Sequence, residues 1–67
     1  MEYWQAGRKV AFYAKRGVDF GFSKVGDVEV WEESSLSGPQ YKHTASFIIA
    51  GDARRFLAAK YPQAEAR

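Results

Sequence analysis

Across the first fifty residues apolar and polar side chains alternate with a period of two, and this constrains the chain more than any other feature. A strand sends successive side chains to opposite faces, so this period marks half-buried strands. Over 9–15, Val10, Phe12 and Ala14 fall on one side, with Lys9, Ala11, Tyr13 and Lys15 on the other. Trp4 and Ala6 share the parity of Val10, which lets the strand begin earlier. Arg16-Gly17 predicts a tight reversal, because glycine accepts the positive φ that hairpin turns need. A second run over 18–24 sets Val18, Phe20 and Phe22 against Asp19, Gly21 and Ser23, and Val25-Gly26-Asp27 suits another hairpin loop. A third over 28–33 sets Val28 and Val30 against Glu29, Trp31 and Glu33. Residues 34–40, rich in serine with Gly38-Pro39, form the clearest loop. A fourth run over 41–50 places Ala45, Phe47 and Ile49 opposite Lys42, Thr44, Ser46 and Ile48.

The period then lengthens. Gly51-Asp52 predicts a helix start with Asp52 as N-cap, and Ala53, Phe56, Leu57, Lys60 and Tyr61 follow helical spacing until Pro62 ends the pattern. The expected fold is α+β: a four-stranded antiparallel sheet, ββββα, with one C-terminal helix packed on one face. The domain runs over 1–62 and leaves 63–67 as a flexible tail. Val10, Phe12, Phe20, Phe22, Val28, Val30, Phe47 and Ile49 form the expected core face.

At 67 residues such a chain is one domain near the lower limit for folding alone. It has no cysteine, so it has no disulfide and no thiolate metal site, and a lone His43 cannot build a metal cage. Oligomerisation is the remaining staple, and a homodimer is expected. No apolar run approaches the ~20 residues of a membrane helix, and the chain does not open with a charged region followed by an apolar one. The expected setting is cytoplasmic, away from membranes.

Net charge is +2, unevenly spread. Up to Val25, Arg8, Lys9, Lys15, Arg16 and Lys24 outweigh Glu2 and Asp19. Residues 26–40 carry only Asp27, Glu29, Glu32 and Glu33, and cations prevail again afterwards. A dipolar chain is poorly suited to tight, sequence-independent binding of duplex DNA.

Catalytic patterns are weak. A Ser-His-acid reading needs His43, a serine and a carboxylate, yet no nucleophile elbow surrounds any serine. Glu32 and Glu33 point to opposite faces of a strand and cannot converge, so a solvated acidic edge is the expectation for this segment. Glycines open no phosphate loop, and at Gly51-Asp52 the carboxylate already takes the anion position. The expectation is a binding module, not an enzyme, with no cofactor.

The remaining signal is the non-core sheet face, where aromatic rings stand among cations. Such a surface holds single-stranded DNA or RNA by stacking bases on rings while cations follow phosphates. The candidate contacts are Lys9, Tyr13, Lys15, Arg16, Trp31 and Lys42. Aromatic sheet faces also serve as protein or self-association surfaces. Arg54, Arg55 and Lys60 form a second basic feature, expected as a solvated helix face.

The run Lys9-Val10-Ala11-Phe12-Tyr13-Ala14-Lys15-Arg16-Gly17-Val18, continued by Asp19-Phe20-Gly21-Phe22-Ser23, resembles the basic, aromatic first strand and apolar second strand of the Pur-type repeat. His43-Thr44-Ala45-Ser46-Phe47-Ile48-Ile49 leading into 52–61 is similar to that family's last strand and helix. The pattern resembles the single-stranded DNA-binding regulators that include the Pur family, the Whirly proteins and related transcriptional coactivators. The resemblance implies a dimer whose sheet binds single strands and regulates transcription or replication. The acidic third strand departs from the basic sheets of that group. An alternative of another class is a small, phage-type regulatory or inhibitory protein that binds a protein partner through Asp27, Glu29, Glu32 and Glu33 or through a sheet edge.

Overall fold

The computed structural model describes residues 1–15, 28–34 and 40–67. The expected strand over 18–24, the reversals at 16–17 and 25–27, and the loop residues 35–39 lie outside them, and with them Arg16 and Asp27. The described elements are β1 (Glu2–Gln5), β2 (Arg8–Lys15), β3 (Val28–Ser34), β4 (Gln40–Phe47), α1 (Ala50–Lys60) and β5 (Glu65–Ala66). Among the described residues the class is α+β, with an antiparallel sheet and one helix, but the sheet has five strands, in the order β4-β3-β2-β1-β5.

Two of those strands were not expected. The alternation over 4–15 breaks at Ala6-Gly7, where φ is 55° and 79°. Two consecutive left-handed residues make the tight hairpin turn whose twist suits antiparallel strands, so β1 and β2 are separate strands. Alanine concealed the turn because it pays a steric cost there that asparagine or glycine avoids. At the other terminus, within the segment expected as a tail, β5 pairs with β1 through Tyr3 with Ala66 and Trp4 with Glu65. The Glu2 and Arg67 backbones exchange hydrogen bonds of 3.0 and 2.7 Å.

Register decides which residues meet. Tyr3 stands opposite Ala11 but Trp4 opposite Lys9, so β2 carries one extra residue, Val10. Such a bulge reverses the faces of everything beyond it. Val10 and Ala11 are therefore buried side by side, and Tyr13 faces the helix with Val28 and Val30. Phe12, expected in the core, lies instead on the outer face. A matching shift in β4 pairs Ala45 with Val30 but His43 with Trp31, leaving Thr44 as the extra residue. Ala45 and Phe47 stay on the helix side as expected, whereas His43 turns outward. Ile49 leaves the expected core altogether: β4 ends at Phe47, and Ile48 and Ile49 are 75% and 55% exposed.

The helix covers the inner face through Ala53 and Leu57, both fully buried, against Tyr3, Val10, Ala11, Val28 and Val30. Phe56 meets Phe47 with ring centroids 5.5 Å apart. The helix begins two residues before the expected N-cap. Extended Ile49 (φ −122°, ψ 146°) precedes it, and the Asp52 amide bonds back to the Ile49 carbonyl at 3.1 Å. Asp52 sits in the first turn, where the helix dipole favours an acid, and pairs with Arg55. The end falls before Pro62 as expected, with the Tyr61 amide donating to the Leu57 carbonyl at 2.8 Å.

Among the described residues a carboxylate is buried in this inner layer. Glu32 is 5% exposed. It accepts hydrogen bonds from Thr44 Oγ1 at 2.6 Å and Tyr61 Oη at 2.6 Å, and Lys60 Nζ lies 2.9 Å from Oε1. Burial pushes the Glu32 carboxyl up, but the bonds from Thr44, Tyr61 and Lys60 outweigh it and hold it below the usual carboxylate range. Burial and the facing carboxylate push the Tyr61 phenol up to about 12. No helix among the described residues is long and apolar enough to cross a membrane.

Two stability predictions come from these features. Ala6→Asn relieves the left-handed alanine and raises stability by up to about 1 kcal/mol, read as a higher urea midpoint with an unchanged slope. Glu32→Gln lowers stability at neutral pH by about 2 kcal/mol, because the Thr44 and Tyr61 hydroxyls lose a charged acceptor and the half-exposed Lys60 loses its ion pair. A depressed carboxyl stabilises above its unfolded pKa and loses that contribution as pH falls through the folded value. The gap between Glu32→Gln and the parent therefore closes on acidification below the ordinary carboxylate range. The raised Tyr61 phenol gives the opposite sign, stabilising below about pH 10 and losing this as pH rises through about 12.

Candidate functional site

Because the helix occupies the inner face, the described aromatic residues that it leaves uncovered gather on the outer one. The bulge at Val10 places Phe12 across from Trp31, and the two rings lie nearly parallel, 7° apart in plane and 6.3 Å between centroids. Tyr41 meets Phe12 edge-on at 5.4 Å, and His43 meets Trp31 edge-on at 5.3 Å. Phe12, Trp31 and Tyr41 are each partly exposed, and the His43 side chain is 41% exposed. Three adjacent strands thus contribute rings to one continuous platform.

Cations border it. Lys9 Nζ sits 4.9 Å from the Phe12 centroid and 5.1 Å from that of Tyr41, each a cation–π contact of about 0.5–1 kcal/mol at a partly exposed site. The same ammonium is 3.2 Å from Glu2 Oε2, and the Tyr41 hydroxyl donates to the Lys9 carbonyl at 3.0 Å. Trp4 Nε1 donates to Glu2 Oε1 at 3.0 Å, and the Arg67 guanidinium lies 4.8 Å from the Trp4 ring centroid. Hydrogen bonds from Trp4 and Lys9 hold the Glu2 carboxyl below its ordinary value.

Glu29, Glu32 and Glu33 do not make the solvated acidic edge expected of them. Their strand, β3, lies between β2 and β4, and Glu29 and Glu32 are only 2% and 5% exposed. Each carboxylate is compensated, which is what makes burial tolerable. Glu29 pairs with His43 and accepts from Ser46 Oγ at 2.9 Å, and Arg8 Nε lies 3.2 Å from Glu33 Oε2. As expected from strand geometry, Glu32 and Glu33 do not converge: one serves the helix side, the other pairs with Arg8.

His43, Ser46 and Glu29 do come together, as a Ser-His-acid reading requires. Their geometry is that of a closed hydrogen-bonded cluster. Ser46 Oγ lies 3.2 Å from His43 Nε2, and Glu29 contacts that same nitrogen. A relay needs acid and nucleophile on opposite ring nitrogens. Here the serine also donates its proton to the carboxylate, which leaves the imidazole no proton to abstract. Among the described residues no group of three or more His, Asp or Glu is placed to hold a metal ion.

Of the residues singled out for nucleic acid, Lys9 and Trp31 share the outer platform. Tyr13 and Lys15 do not. They line an open hollow of about 340 Å3 with Met1, Ala14, Val28 and Ala50, where the Met1 ammonium donates to the Tyr13 carbonyl at 2.8 Å. Lys42 is exposed on β4, opposite Glu32. Phe12, Tyr41 and His43 belong to the platform and were missed, since strict parity puts Phe12 and His43 inside. The one available signal was the pair Val10-Ala11, two adjacent residues small and apolar enough to be buried together at a bulge. No protein-family model, curated protein or solved structure matches this chain.

Proposed function

We propose that this chain is a non-enzymatic binding module that holds single-stranded nucleic acid on its outer sheet face. The observation that supports this reading is the nearly parallel Phe12–Trp31 pair, extended by Tyr41 and His43 and bordered by Lys9. Flat π-faces on a sheet accept bases of any sequence, at about 1–3 kcal/mol per stacked base. Among the described residues the acids near the platform have local partners: Lys9 for Glu2, His43 and Ser46 for Glu29, and Arg8 for Glu33. Their repulsion of a passing strand is correspondingly weakened. Lys9, poised over two rings, is the cation best placed to meet a phosphate beside a stacked base. Stacking thus provides most of the affinity, and few phosphates are neutralised, so the salt dependence is shallow. The Pur- and Whirly-like pattern in the sequence points the same way.

The second reading, a small regulatory or inhibitory protein docking through its acidic strand or a sheet edge, draws no support for the acidic strand from the central position of β3 or the burial of Glu29 and Glu32.

Fluorescence anisotropy of labelled purine-rich and pyrimidine-rich oligonucleotides, at low and moderate salt, tests the proposal. Binding with quenching of tryptophan emission is expected. Trp31→Ala or Phe12→Ala weakens it by roughly tenfold, the equivalent of about one stacked base. Tyr13→Ala lowers stability and leaves the affinity of the folded fraction unchanged. Absence of binding at low salt defeats the reading.

A further inference from the structure

Building on the nucleic-acid reading, we propose that the site does not end at the aromatic platform but continues over Trp4 to Arg67, so that a bound single strand crosses every described strand of the sheet. Tyr3 points inward, where its hydroxyl donates to the Arg54 carbonyl of the helix at 3.4 Å. Its neighbours Glu2 and Trp4 therefore face outward, on the side that carries Phe12 and Trp31. Trp4 stands opposite Lys9 of β2 on one side and Glu65 of β5 on the other, and it is partly exposed.

Lys9 joins the two regions. Its ammonium lies over Phe12 and Tyr41, and strand pairing sets Trp4 across from it. One carboxylate holds both groups in place: Glu2 Oε2 is 3.2 Å from Lys9 Nζ, and Glu2 Oε1 accepts from Trp4 Nε1 at 3.0 Å. Beyond Lys9, the Arg67 guanidinium sits 4.8 Å from the Trp4 ring centroid. Across the sheet the outer face thus runs ring, cation, ring, cation: Phe12 with Trp31 and Tyr41, then Lys9, Trp4 and Arg67. A single strand offers the complementary alternation of flat bases and phosphates. A guanidinium resting over an indole is oriented by the cation–π contact and keeps N–H donors at its rim for a phosphate. Its ion-pair partner Glu65 is 3.6 Å away, and both side chains are more than half exposed, so this pair restrains the guanidinium only weakly. The platform alone, over β2 to β4, covers about 10 Å, whereas the path from β4 to β5 covers about 19 Å. The longer path accommodates roughly four nucleotides, the small end of the range for single-strand sites built on sheets.

The chain has two tryptophans, Trp4 and Trp31, so their indole N–H signals report the two parts of the site separately. An oligothymidylate of about eight nucleotides, twice the proposed site, is titrated into the isotope-labelled full chain at low salt, and its affinity is measured by anisotropy at several salt concentrations. Both indole signals are expected to move along the same binding curve. Trp4→Ala weakens binding by roughly tenfold, Trp4→Phe restores most of that loss, and Arg67→Gln lowers the salt slope by about one. In Trp4→Ala the Trp31 indole signal starts from its parent position and still moves on binding, which an unfolded variant would not show. A Trp4 signal that stays still while that of Trp31 moves, or an affinity unchanged by Trp4→Ala, overturns this inference and leaves the platform reading standing. No movement of either signal at low salt overturns both.

Discussion

A carboxylate in an apolar layer must be compensated or the layer opens, and the inner layer of this protein is organised around that requirement at Glu32. Its oxygens receive a hydroxyl from the neighbouring strand, Thr44, and a hydroxyl and an ammonium from the helix end, Tyr61 and Lys60. No apolar contact would fix the helix so specifically. Ala53 and Leu57 pack the helix on Val28 and Val30, and the two donors at its end tie that end to Glu32. The hydrophobic interior supplies the driving force, and the buried carboxylate supplies the register. Such a network is strong only when complete, because any member left alone is a desolvated polar group.

The same strand repeats the arrangement on its other side. Glu29 faces outward, nearly buried, and is met by His43 and Ser46 of β4. β3 therefore carries acids on both faces, met by side chains of the flanking strands and, on the inner side, by the end of the helix. Among the described residues, these pairings leave aromatic rings on the outer face: Phe12, Trp31 and Tyr41, with Lys9 laid over two of them. The acidic segment and the aromatic platform are thus two consequences of one central strand, and the pairing of its charges is what lets rings dominate the surface.

Much of the fold was legible in local pattern. Period-two alternation marked the strands that became β2, β3 and β4, and the change of period with Pro62 marked the helix and its end. The faces were harder. Parity holds for Val10, Val28, Val30, Ala45 and Phe47, and fails for Phe12, Tyr13 and His43, each of which lies beyond a one-residue register shift. A bulge is a negotiation between two strands, so it leaves only a faint trace in either one. The β1–β2 turn was hidden for a related reason. Ala6 adopts a conformation that its own chemistry disfavours, and strand pairing on both sides holds it there.

The sequence by itself determined that this chain makes an antiparallel sheet and a helix near its C-terminus, since periodicity, turn residues and proline act within a few residues of themselves. It also determined that the site would be aromatic and of mixed charge, because composition decides what is available. Only the tertiary structure decided which rings meet, which acids are neutralised and which strand lies at the edge. Those outcomes depend on contacts between residues far apart in the chain: Glu2 with Lys9 across a hairpin, Glu29 with His43, Glu32 with Tyr61. Each depends on a register that the chain acquires only when its strands pair, and a shift of one residue would have turned the aromatic platform inward.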